Sequence, residues 1–256
     1  MSRNWTALSK IWKRCTLKKA DGTTLNVCFV QLPTNRSDEV VDFQMSQFVP
    51  REITHIMSGL PYNKEAMMEY RDVLRQKHSD PLNFSMVCCI EKDNKILPNF
   101  IASDSMKLIK RGDPCKDETP PNLKTKEAND YFRIVRDWNN LCPIPYVMEK
   151  FDLETFYDDR GIVVHQEYAG YNIAYHLSLL RRVVCQSQGV PMTGAWLAAI
   201  GSEKAALRTG WQLVYEVSRE DLEKVVKVPM DKSIPSFKFC VLDCTKNSEI
   251  LKASKS

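Results

Sequence analysis

No stretch of this 256-residue chain approaches the ~18 consecutive apolar residues that cross a bilayer, so no membrane partner is expected. The opening segment, MSRNWTALSKIWKRC, lacks an apolar core and a small-residue cleavage site, which argues against a secretory signal. No CxxC pair occurs among the nine cysteines. The four histidines (His55, His78, His165 and His176) show no ligand spacing with cysteine or carboxylate, so no metal is expected. Cys28, Cys88, Cys89, Cys185 and Cys240 read as small core residues, and reduced thiols in a cytoplasmic protein are the expectation. Charge of one sign is missing too. The net charge of +4 is spread along the chain, too weak for a nucleic-acid partner but suited to a small anionic ligand. GxxxxGK[ST] is absent, and nothing early in the chain fits GxGxxG, so neither a nucleoside-triphosphate loop nor a dinucleotide fold is favoured.

What is present is the balance of a globular protein, with 43% apolar and 27% charged residues. Thr24 to Pro33 alternates between a DG turn and a proline and predicts a strand. Ser37 to Val49 predicts a helix opening on a serine cap, and Asn63 to His78 a second helix. Asn83 to Ile109 reads as a hairpin turning at Asp93-Asn94, with Pro98 marking an irregular second arm. Arg111 to Asn122 has loop composition, and Leu123 to Leu141 has a helical apolar stripe. A strand within Glu154 to His165 is followed by a strong helix to Gly189, a natural stop. Pro191 to Ile200, Trp211 to Ser218 and Ser236 to Cys244 read as strands, with a short helix from Ser202 to Gly210. No repeat or clear linker appears. The expectation is one α/β domain over residues 1–256, core about 24–246, with a mixed sheet and several helices.

The junction GIVV–HQEYAGYNIAYHL (Gly161 to Leu177) draws attention. An apolar run ends, a glycine follows, and a helix begins. A helix start offers unpaired N–H groups and the positive end of its dipole, which together hold phosphate without a basic side chain. Only Gly170 stands in the turn, where phosphate loops have two or three glycines, but Asn172 tolerates the left-handed conformation better than most residues. On this stretch alone a plain structural turn into a buried helix is the favoured reading, because one glycine is a weak signal.

With its surroundings, VHQEYAGYNIA (Val164 to Ala174) resembles the acetyl-CoA loop of the Gcn5-related N-acetyltransferase superfamily. More narrowly, it is similar to VHPxYRGxGIG of the insect arylalkylamine N-acetyltransferase-like group. Val164, His165, Tyr168, Gly170 and Ile173 match, and Ala174 meets the final small position. Ala169 departs from the usual arginine or glutamine, and Asn172 from the central glycine. AAIGSEKAALRTGWQLVYEVSREDLEK (Ala198 to Lys224) resembles that group's S-Q-K-A-A…G-F…Y-E-I segment through Ser202, Lys204, Ala205, Ala206, Gly210, Tyr215, Glu216 and Asp221. FVPREITHIMSGL (Phe48 to Leu60) resembles its FFxDEPLxxxLGL, with Glu52 on the glutamate and Ile53 on the proline. The likeness runs from about Thr24 to the C-terminal strand.

The resemblance implies a mostly antiparallel sheet of about six to seven strands flanked by helices. It also implies acetyl transfer from acetyl-CoA, as co-substrate, to the primary amine of a small arylalkylamine or related amine. The cofactor contacts it implies are Val163, Val164, Ala169, Gly170, Tyr171, Asn172, Ile173, Ala174, Ser202 and Lys204. An amine of pKa ~10.4 is neutral in about one molecule in a thousand at pH 7, so a base is needed. Glu52 is the candidate base and His165 the second; a solvated helix-end acid and a structural hydrogen-bonder are their plainer roles. Ser202 could reprotonate the CoA thiolate or simply cap a helix. The tyrosine that many acetyltransferases carry four residues before the helix-ending glycine is replaced by Ala206, leaving Tyr215 as a weaker donor. Phe43, Phe48, Met57, Tyr62 and Trp196 could line an aromatic pocket or pack the core. The departures at Ala169, Asn172 and Ile53 also motivate a catalytically weak relative that binds acyl-CoA or an amine.

Overall fold

The computed structural model describes residues 9–113 and 122–245. In chain order these form β1 (Ile11–Lys18), β2 (Thr24–Gln31), α1 (Ser37–Gln47), α2 (Ile53–Ser58), α3 (Lys64–Ser79), β3 (Asn83–Lys92), β4 (Lys95–Lys110), α4 (Lys126–Asn139) and α5 (Ile144–Lys150). There follow β5 (Thr155–Val164), α6 (Ile173–Gln188), β6 (Met192–Leu197), α7 (Ile200–Arg208), β7 (Gln212–Ser218), α8 (Arg219–Val226) and β8 (Ser236–Asp243). The strands make one sheet in the order β1-β2-β3-β4-β5-β6-β8-β7. Every neighbouring pair is antiparallel except β5 and β6, which are parallel and joined by the α6 crossover that a parallel pair requires.

Period-two alternation sends successive side chains to opposite faces. In β3, Met86 and Cys88 join a core under α6 that includes Leu177, Leu180 and Val184, while Val87 and Cys89 face Val40 of α1. In β8, Cys240 and Leu242 take the α6 side, and Phe237, Phe239 and Val241 face the clusters built with α4, α5 and α8. A one-residue slip would put each of these sets on the wrong face, so the buried pattern fixes the register. Asp93 and Asn94 turn the β3–β4 hairpin with φ of 50° and 59°, the paired positive angles of a tight hairpin. Near Pro98 the ladder slips, Cys89 pairing with Phe100 and Glu91 with Ile96.

The sheet has eight strands rather than six or seven, because β1 precedes the expected start of the core. As an edge strand it buries little beyond Leu17, so its apolar signal is faint. Helices α2, α5 and α8 are also additions; at six, seven and eight residues they are too short for periodicity to declare them. Ser37 is the first helical residue of α1, not its cap; Arg36 holds that position. Residues 114–121 of the expected loop, and residue 246 at the end of the expected core, lie outside the described residues.

Two irregularities of β5 open a gap in the sheet. Asp104 pairs with Ile162 and Met106 with Asp159, so Arg160 and Gly161 together oppose Ser105 alone. That is a β-bulge, which bends its strand and leaves a residue outside the ladder. Second, β5 meets β6 only at Tyr157–Thr193 and Asp158–Gly194. Beyond that point Val163 and Val164 stay with β4, and Ala195 to Leu197 stay with β8. The two parallel strands therefore diverge, and their C-terminal halves stand apart. Arg181 of α6, fully buried, spans the vertex with hydrogen bonds to Asp104 on β4 and Asp159 on β5. Burial pushes the Asp104 carboxyl up to about 6 even with Arg181 against it.

Candidate functional site

The β5 end of the gap runs into the turn before α6. Val163 is buried and Val164 half-buried. Gly170 (φ 87°) and Asn172 (φ 57°) both occupy positive φ, so asparagine holds the conformation that a glycine would. Asn172 sits at the N-cap of α6 without a side-chain cap, and is exposed. The N–H groups of Gly170, Tyr171 and Asn172, and those opening α6, therefore form no hydrogen bond among the described residues. Tyr171 and Ile173 are buried anchors, and Ala174 is half-buried behind them. Ala169 leaves the expected donor set, because its N–H goes to the carbonyl of Gln166. A run of free N–H groups at the positive end of a sixteen-residue helix is an anion-binding arrangement.

The β1–β2 hairpin adds a side chain that the motif did not show. The Lys19 stem lies 3.8 Å from where a Cβ on Gly170 would stand, and its Nζ is 4.6 Å from the Tyr171 ring centroid. A cation thus lies beside the turn in a chain that has alanine at position 169. On the next turn of α6, His176 packs between Lys13, 3.4 Å from its Nδ1, and the Phe29 ring. The Arg208 guanidinium covers Tyr175 at 4.6 Å.

Glu52 lies across the mouth of the gap. On one side of it, the Phe48 ring approaches the bulge at Gly161 to 3.6 Å from a built Cβ, and Arg51 Nη2 is 3.5 Å from the Val164 carbonyl. On the other, Ile53 and Met57 pack into the cluster that holds Trp196 and Ala198 at the β6 end. The segment from Phe48 to Met57 therefore spans from β5 to β6 with Glu52 in its middle.

Glu52 caps α2. Its Oε2 accepts from the N–H groups of Thr54 (2.9 Å) and His55 (3.1 Å), from the Thr54 hydroxyl (2.5 Å) and from His55 Nδ1 (2.5 Å). Its Oε1 takes no hydrogen bond among the described residues, and the side chain is a fifth exposed. Burial pushes its pKa up, but the charge and hydrogen bond of His55, with the bonds from Thr54, outweigh this and hold the carboxyl below its usual value.

Other expected residues fall differently. His165 Nδ1 accepts the N–H of Glu167 and caps the short turn Gln166–Tyr168, so the ring's remaining nitrogen, Nε2, carries the proton and is a donor. That is the plainer, structural role. Ser202 is not the cap of α7; Ala199 is, and the Ser202 hydroxyl donates to the Ala199 carbonyl at 2.7 Å. Lys204 is exposed on α7, which follows β6 directly. The five expected pocket residues lie in different surroundings. Phe43 packs on Phe100, and Phe48 on His55. Met57 and Tyr62 line a polar groove of about 590 Å³ between α2 and α4, and Trp196 stacks edge-on with Trp138, Tyr215 and Phe239. His55, Lys19 and the bulge at Gly161 were missed. Only the bulge had a sequence signal, a glycine inside a strand pattern.

No family model and no curated protein matches the sequence. Solved structures do match the fold. A putative arylalkylamine N-acetyltransferase from the yellow fever mosquito Aedes aegypti superposes with a TM-score of 0.75 at 18% identity, over 94% of this chain and 100% of that one. The Drosophila melanogaster polyamine N-acetyltransferase, which forms N-acetylagmatine, gives 0.62 at 13% identity, over 85% and 99%. A mosquito arylalkylamine N-acetyltransferase-like protein gives 0.61 at 16%, over 85% and 99%. The mixed, mostly antiparallel fold expected from the loop motif is thus the one found, shared with insect N-acetyltransferases.

Proposed function

We propose that this protein transfers the acetyl group of acetyl-CoA to the primary amine of a small arylalkylamine or related amine. The observation that carries this is the gap between β5 and β6, with free N–H groups at one end and an ionised carboxylate over its mouth. In this reading the turn from Gly170 to Ala174 takes the CoA pyrophosphate, and the thioester runs along the bulged edge of β5 past Val163 and Val164. The ammonium enters at Glu52, whose Oε1 holds its charge and removes a proton. The freed nitrogen lone pair attacks the thioester carbonyl carbon. The C–S bond breaks, and the CoA thiolate leaves and is reprotonated, with Ser202 or Tyr215 as donor candidates. The fold's presence in insect N-acetyltransferases supports the reaction class, and the names those proteins carry bring arylalkylamines, polyamines and agmatine into consideration as substrates.

One observation favours a second reading, a catalytically weak relative that binds acyl-CoA or an amine. Oε2 of Glu52 is fully used as a helix cap, and its depressed pKa weakens it as a base. Steady-state thioester loss with tryptamine, dopamine, polyamines and agmatine separates the two. Turnover of any of them supports acetyl transfer. No turnover beside clear CoA binding by calorimetry supports the binding role.

A further inference from the structure

Three backbone and hydroxyl donors already hold Glu52 Oε2 as an ordinary helix cap. A fourth donor, the His55 ring, is built in at some expense. The ring is 2% exposed. It stacks on Tyr131 of α4 at 4.5 Å and meets Tyr70 of α3 and Phe48 edge-on at 5.0 and 5.7 Å. The two tyrosines are themselves joined by a 3.1 Å hydrogen bond between hydroxyls. Three separate parts of the chain therefore fix the plane of the imidazole.

The far nitrogen, Nε2, is buried and has no hydrogen-bond partner among the described residues. Buried polar atoms without partners are uncommon and call for a reason. The other ring nitrogen, Nδ1, faces Glu52 Oε2 at 2.5 Å. The groups facing the ring are Glu52 and Thr54 beside it, Tyr70 from α3 and Tyr131 from α4, and Glu52 is the ring's ion-pair partner. Because Nε2 points into the rings, His55 cannot touch a substrate in the gap. Whatever it does, it does through Glu52.

We infer that His55 is the positioning residue of the site: its Nδ1–H, held in place by Phe48, Tyr70 and Tyr131, ties down Oε2 of Glu52 so that Oε1 alone is presented to the amine. This rests on the acetyl-transfer reading. The Nδ1 proton stays on His55 throughout, while the proton from the ammonium goes to Oε1 and the nitrogen lone pair to the thioester carbon. The same contact keeps the Glu52 carboxyl ionised against the pull of burial, so the site stays ready for a cation at lower pH than a buried glutamate would.

The experiment uses the full chain with His55→Asn, which keeps an N–H donor near the Nδ1 position, and His55→Phe, which keeps the ring stack and removes the donor. Thermal melts confirm that each folds. His55→Phe lowers the turnover number about tenfold or more and moves the acid limb of kcat/KM to higher pH, while His55→Asn stays within about threefold of the parent. Adding His55→Phe to Glu52→Gln costs little more than Glu52→Gln alone, because His55 acts only through Glu52. A His55→Phe variant with parental turnover and an unmoved acid limb overturns the proposal. A second readout is independent of activity and of folding yield with phenylalanine: the carbon-NMR titration of the Glu52 carboxyl in the parent and His55→Asn, with His55→Leu as the donor-free form. The carboxyl titrates higher in His55→Leu and near the parent in His55→Asn; equal titrations in all three overturn the pairing. If no amine is turned over, the acetyl-transfer reading falls and this titration alone decides whether His55 governs Glu52.

Discussion

The two ends of the gap are made of different materials. At the α6 end the candidate contacts are main-chain N–H groups, freed by positive φ at Gly170 and Asn172 and by a helix start. At the mouth the candidate contact is one side chain, Glu52, held by others from α2, α3 and α4. A site of backbone donors depends little on side-chain identity, and asparagine at 172 holds the positive φ that a glycine would. A site made of side chains fails when one atom is replaced. Substitutions should therefore act in opposite ways at the two ends.

The largest effect belongs to the mouth. Glu52→Gln keeps shape and cap but loses the proton acceptor, and the turnover number should fall by about 10²–10⁴ near neutral pH, with partial recovery at high pH where the amine is already neutral. Steady-state kinetics across pH checks this. A rise in the Michaelis constant for the amine alone would mean that Glu52 only holds the ammonium, and no change in either constant would make it a surface acid.

At the other end only backbone changes should matter strongly. Gly170→Pro removes an N–H and forces φ from 87° toward the ~−65° of proline, so CoA binding should weaken at least about tenfold, or ~1.4 kcal/mol. Calorimetry on a variant with a parental melting temperature reads this; unchanged affinity would remove the phosphate role. Lys19→Ala should weaken binding by about twofold to fivefold, less at high salt, as expected for a half-exposed cation beside an anion. Asn172→Gly should change affinity by less than about twofold, since asparagine already holds the left-handed conformation, while the melting temperature drops slightly from the looser unfolded chain. A clear gain in affinity would show that the asparagine side chain does crowd the phosphate.

The smallest effect is on stability and again contrasts the ends, since His176 faces cations where His55 faces a carboxylate. Burial, then the charges of Lys13 and Arg208, pull the His176 pKa from 6.5 to about 4. The unfolded chain takes up a proton near 6.5 that the folded chain refuses until about 4, so stability is lost as pH falls through that window. His176→Gln removes this contribution, and its melting temperature should decline less over the same range. An equal decline would assign the acid sensitivity elsewhere, for instance to His78, also lowered to about 4 by burial.

Much of the backbone was legible in the sequence. The hairpin at Asp93-Asn94, the helix ending at Gly189 and the turn at Gly170 and Asn172 all depend on neighbours in the chain, and the predicted spans match the structure to within a few residues. The turn before α6 was readable for the same reason: its chemistry is its backbone. Glu52 was read only through its likeness to a known segment, and α2 was too short to announce itself. His165 and Ser202 each spend a polar atom on an N–H or carbonyl close by in the chain, a contact that composition does not disclose.

By itself, then, the sequence determined where the backbone turns, caps and alternates, because φ preferences and apolar periodicity act over a few residues. Tertiary structure alone decided three things. It spread β5 from β6, because β4 and β8 claimed the ladders beyond Asp158 and Gly194. It brought Lys19 to Gly170 across about 150 positions of chain, a contact no local preference encodes. And it closed Phe48, Tyr70 and Tyr131 around His55, turning a residue that looks like any helix histidine into the fixed neighbour of Glu52. Burial of whole faces sets such contacts, and burial is a property of the packed chain rather than of any stretch of it.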